Sequence, residues 1–95
     1  GGCARLPLVL PYLEAQDPAL RKAAAIALGD LRQAEAVKPL LARLESEADF
    51  GIVEEIAGAL AALDDPRAIF PLEVVARAYA TPRITAALAR LRQGE

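Results

Sequence analysis

DPALRKAAAIALGDLRQAEAVKPLLARL, residues 17–44, decides the fold. Asp17 can accept from an orphan amide of a first helical turn, and Pro18 fits the first helical position, where a missing N–H costs nothing. Leu20, Ala24, Ala27, Leu28 and Leu31 then recur at the period of one helical face. A short polar turn, DLRQAE, separates this stripe from a second one made by Val37, Leu40, Leu41 and Leu44. The stretch therefore reads as two helices folded back on each other.

Outward from this hairpin the chain repeats itself. Residues 17–48 laid over 49–80 without a gap give nine identities, among them Asp17/Asp49, Leu28/Leu60, Leu31/Leu63, Pro39/Pro71 and Leu40/Leu72. A self-match at a fixed period of this size is the signature of stacked helical units. ARLPL at 4–8, AVKPL at 36–40 and AIFPL at 68–72 mark the same phase three times. The match continues at both ends, so one domain over 1–95 divides into a half repeat at 4–16, repeats at 17–48 and 49–80, and a closing helix at 81–93. Caps recur at Asp17, Asp49 and Thr81. In the second repeat Ile52, Ile56, Ala59, Leu60 and Leu63 form the first stripe, and Ile69, Leu72, Val75 and Ala76 the second. No stretch alternates at period two, which excludes strands. The expected fold is all-α, a right-handed α-solenoid of antiparallel helical hairpins.

Pro7, Pro39 and Pro71 stand near the start of each second helix, where amides lack helical acceptors. Pro66 competes with Pro71 for the helix start, so Pro66 is expected to open a separate turn, capped by Asp65, ahead of the helix proper near Ala68.

Residues 17–44 resemble the HEAT-like repeat of phycobilisome lyases, with its Arg, Ala-Ala, Ala-Leu-Gly, Asp and Ala-Val-x-Pro-Leu positions in order. The second repeat departs from that pattern, with Val53 in place of Arg21, Ala61 of Gly29 and Ala62 of Asp30. The resemblance covers almost the whole chain and implies a protein-interaction scaffold without catalysis. Its alternative implication is an accessory subunit of a chromophore lyase or other protein-modifying complex.

Composition narrows the chemistry. The 95 residues include no His, Asn, Trp or Met, one Ser and one Cys. His-based proton transfer, His-ligated metal and a thiolate zinc site are thereby excluded, and no cofactor is expected. Iron-dependent HEAT hydroxylases rely on His-Glu pairs, which this chain lacks. A net charge of −2 and few aromatics argue against nucleic acid, the basic groove of HEAT-like DNA glycosylases included. No apolar run is long enough to span a membrane, and a cytoplasmic location is expected. The Gly-Gly-Cys start would suit a lipid anchor only behind a signal peptide, and Cys3 is otherwise read as inert. Glu54-Glu55 diverge on their helix, and Arg21-Lys22 read as a solvated face.

Candidate binding residues come from the outward phase of the second helices, expected to line a concave side. Lys38 occupies it in one repeat, and Phe70, Val74 and Arg77 in the next. An exposed aromatic beside an Arg has the composition of an interface anchor for a protein partner. Leu6, Val9, Leu10 and Leu13 form a second set, expected at an uncovered N-terminal end where another repeat or a second copy stacks.

Overall fold

The structure, a computed structural model, describes residues 6–93, so Cys3 and the Gly-Gly-Cys start lie outside the described residues. Helix α1 (Leu6–Val9) runs directly into a 3₁₀ helix over Leu10–Glu14. Then come α2 (Pro18–Leu31), α3 (Val37–Ser46), α4 (Phe50–Leu63), α5 (Ile69–Ala78) and α6 (Pro82–Gln93), with no strand among the described residues. The period is visible in the backbone: α2 and α4 each have 14 residues, and α3 and α5 each have 10.

Caps set where the first helices begin. The Asp17 carboxylate accepts from the Ala19 amide at 2.9 Å, Asp49 from Ile52 at 3.3 Å, and the Thr81 hydroxyl from Ile84 at 3.3 Å. Each such bond satisfies a donor that the helix leaves unpaired. At the other end, Arg32 and Asp64 stop α2 and α4 in the left-handed region, with φ of 54° and 57°. Without glycine at that position, the stop is held by the chain around it rather than by conformational freedom.

Each second helix is entered through a short 3₁₀ turn, Ala34–Ala36 or Pro66–Ala68. Asp65 caps the second turn by accepting from the Arg67 amide at 2.9 Å. Pro39 and Pro71 are consequently the third residues of α3 and α5. Their missing amides fall in a first turn that has no helical acceptor, so no helical hydrogen bond is lost.

The first helices pack side by side in the order α2, α4, α6. Gly29 permits the close approach of α2 and α4, because a Cβ there would lie 3.0 Å from the Ala59 Cα. The central helix α4 is buried around most of its circumference by Ile52, Val53, Ile56, Ala57, Leu60 and Ala61. The identical pairs Leu28/Leu60 and Leu40/Leu72 are all fully buried, so the repeated leucines are the core. The second helices α3 and α5 touch only sparsely and leave space between them.

Two expectations about the N-terminal end are corrected. Leu20 is 44% exposed, although Ile52, its counterpart one repeat later, is 2% exposed. Leu13, expected on the open side, is 1% exposed and part of the core. The cause is the change of helix type: a 3₁₀ helix turns about 120° per residue. That extra rotation carries Leu13 inward and leaves Tyr12 exposed. Val9 and Leu10 pack partly buried against the core, and the side chain of Leu6 lies outside the description.

Candidate functional site

The junction between the first hairpin and α4 is held by charge. Glu47, just past the end of α3, accepts from Arg21 of α2 through both carboxylate oxygens, at 2.9 and 3.2 Å. It also accepts from the Asp49 amide at 3.0 Å, so it fixes the residue that caps α4. Arg43 of α3 approaches Glu47 at 3.3 Å as an ion pair, without alignment for a hydrogen bond through its Nε. Arg43 also donates to Glu14 at 3.1 Å, and Arg21 to the Ala15 and Gln16 carbonyls at 2.8 and 3.0 Å. Burial works against ionisation of Glu47, but Arg21, the Asp49 amide and Arg43 together hold its carboxyl below the ordinary value. Arg21 is thus a structural pin and not the solvated residue expected of an Arg-Lys pair. Glu55 likewise is buried and paired with Arg83 of α6.

At the same positions the second hairpin is apolar. Val53 stands for Arg21, Val75 for Arg43 and Tyr79 for Glu47. Tyr79 meets Phe50 edge to face, with ring centres 4.8 Å apart, an arrangement aromatic pairs favour. With no ion pair to close it, the space between α3 and α5 is a cleft of about 410 Å³, walled by Leu44, Val53, Phe70, Val74, Val75 and Tyr79. Its charged lining residues are Glu45 and Glu47, the latter already neutralised by Arg21 and Arg43. Among the described residues no Lys or Arg lines it.

Among the residues expected to bind a partner, Phe70 and Val74 line this cleft and are 69% and 47% exposed. Lys38 and Arg77 are exposed but stand outside the lining. Sequence reasoning missed Leu44, Val53, Val75 and Tyr79, because Leu44 and Val75 were assigned inward and Val53 was read only as a departure from the repeat. The joint replacement of Arg21, Arg43 and Glu47 by Val53, Val75 and Tyr79 is the signal that marks them. Among the described residues no cluster of metal-binding side chains occurs, and no helix is long and apolar enough to cross a membrane.

The family described as HEAT repeats matches residues 6–92. The chain belongs to the HEAT-repeat family. Over 53 residues, 56% of its length, it is 47% identical to the bilin biosynthesis protein PecE of Mastigocladus laminosus. It spans 20% of that relative's length. No solved structure matches it. These HEAT repeats are thus related to a protein of bilin biosynthesis, and the expectation of a chain outside enzymology is corrected on that ground. Lack of His excludes only the chemistries that need His, and it carries no information about pigment chemistry that uses other groups.

Proposed function

We propose that these HEAT repeats serve in the attachment of a bilin to protein, and that the α3–α5 cleft holds the protein partner rather than the pigment. The observation that carries this reading is the lining of the cleft, mostly apolar and, among the described residues, free of cations, in a chain 47% identical over 53 residues to a bilin biosynthesis protein. Bilins carry propionate groups, and a pocket for them would offer Arg or Lys as partners. Here the charged lining residues are acidic. An apolar segment of polypeptide suits such walls, with Phe70 and Tyr79 as the aromatic anchors that dominate interfaces.

The test is capture of a bilin-carrying protein by the immobilised chain, read by visible absorbance, beside direct titration with biliverdin. Phe70 is exposed, so Phe70→Asp leaves the core intact. The proposal expects pigmented protein to be retained, retention to fall at least about tenfold in Phe70→Asp, and biliverdin alone not to saturate the chain. Stoichiometric binding of free biliverdin, or undiminished capture by Phe70→Asp, overturns it.

A further inference from the structure

The wall of the α3–α5 cleft is mostly apolar, and its charge stands at one end. Leu44, Glu45 and Glu47 come from the last turn of α3 and just beyond it, and Val75, Ala78 and Tyr79 from the matching end of α5. The two carboxylates at this end differ. The side chain of Glu47 is 1% exposed and is held by Arg21, Arg43 and the Asp49 amide. Glu45 is exposed, and among the described residues its carboxylate enters no hydrogen bond or ion pair. Nearby cations do not compensate it. Arg43 is engaged by Glu47, Glu14 and the Ser46 carbonyl. Lys38 lies two helical turns earlier on α3, about 10 Å along the axis. Arg77 holds the phase of Glu45 one repeat later, but it stands outside the lining and no ion pair joins the two. Glu73, on α5, is already paired with Arg92.

We infer, on the reading of this cleft as the partner surface, that the segment it receives carries an arginine between apolar residues, with the guanidinium seated against Glu45. Three features of the lining call for that group: an apolar trough, one uncompensated carboxylate at its end, and the rings of Phe70 and Tyr79 in its wall. A guanidinium is planar and weakly hydrated, is attracted to aromatic faces and can bond both oxygens of a carboxylate. A lysine ammonium would give up more hydration in the same place. The apolar flanks of the segment cover Leu44, Val74 and Val75, while Glu45 fixes its register, because it stands only at the α3 C-terminal end. A segment with Asp or Glu at that point is rejected, since it would bring a further carboxylate to Glu45 with Glu47 behind.

The probe is a pair of peptides, acetyl-Ala-Leu-Arg-Leu-Ala-amide and its counterpart with citrulline for arginine, which keeps the shape of the side chain and removes its charge. Both are titrated into the chain and followed by amide chemical shifts. Both peptides are expected to shift α5 and the end of α3, with the arginine peptide tighter by about threefold to tenfold. That advantage is expected to shrink with added salt and to vanish in Glu45→Gln, whose side chain has no partner in the chain to lose. Glu35→Gln changes the net charge equally from an exposed turn outside the lining, and is expected to keep it. Equal affinity for the two peptides overturns the inference alone, as does an advantage that survives Glu45→Gln or is lost equally in Glu35→Gln. Peptides that leave α5 and the end of α3 unshifted overturn the reading of the cleft as a partner surface, and the inference with it.

Discussion

The two hairpins share a backbone and differ at its tightest junction. In the first, Arg21, Arg43 and Glu47 lock the end of α3 to the start of α4 by charge-assisted bonds. In the second, Val53, Val75 and Tyr79 take the same three positions, and the end of α5 is left with an open apolar cleft beside it. Tyr79 and Glu47 even make the same backbone closure, donating to the Val75 and Arg43 carbonyls at 2.8 Å. One geometry thus supports two uses. Ionic pairing spends the side chains on holding the stack together, whereas in the second hairpin Val53 stays buried, Val75 is half-buried and only Tyr79 stands exposed beside the cleft.

The comparison is broken most forcefully at Glu47. Glu47→Ala leaves two guanidinium groups facing a buried site without their anion, and the expected loss is about 3 kcal/mol in urea unfolding. Tyr79→Ala at the matching position, where 45% of the residue is exposed, is expected to cost about 1 kcal/mol or less. Equal losses at the two positions would mean that the junctions do not differ in the way described.

Next in size is the contact between α2 and α4. Gly29→Ala should destabilise by about 1–2 kcal/mol despite the better helix propensity of Ala, because the new methyl meets backbone at 3.0 Å. Ala61→Gly, at the matching position of the second repeat, makes no close approach but removes a buried methyl, so it should cost roughly 1–2 kcal/mol from propensity and lost burial together. Thermal denaturation of the pair separates the two effects.

Acid sharpens the difference between the junctions. The Glu47 carboxyl is held below its ordinary value near 4.5, so its stabilisation is complete above that pH and is lost as the pH falls through the lower folded value. Asp65, held down chiefly by its hydrogen bond from Arg67, contributes with the same sign, but its partner Arg67 is exposed, so the pair counts for less. Stability measured from pH 6 to pH 3 should therefore fall less steeply in Glu47→Gln than in the natural chain.

The smallest effect expected is the most instructive. Arg21→Val, Arg43→Val and Glu47→Tyr together give the first hairpin the junction of the second. Replacing a whole buried ionic group by apolar residues is often neutral, so the triple variant should lie within about 1 kcal/mol of the natural chain, far above Glu47→Ala alone. A triple variant as damaged as the single one would show that the two junctions are not interchangeable.

The elements of the fold were legible in the sequence because each is announced locally. Asp17, Asp49 and Thr81 cap where capping residues should, and the prolines sit where helices begin. The core leucines repeat at the same phase. What could not be read is what depends on partners distant in the chain. Arg21 and Glu47 lie 26 residues apart, a spacing that belongs to neither helix periodicity nor the repeat. Leu13 was misplaced because its helix changes type within one turn, which no apolar pattern marks. For the cleft, Phe70 and Val74 were legible from their column alone, whereas Tyr79 gains its place only because the first hairpin uses the same position for an anion.

The central claim is that the second hairpin, through the cleft between α3 and α5, is the contact surface. Amide hydrogen exchange on the chain, alone and bound to its captured bilin-carrying protein, tests it directly. The account predicts that protection appears over α5 and the last turn of α3, with α2 and α6 unchanged. Protection confined to α2 or α6, with α5 exchanging as in the free chain, would contradict it.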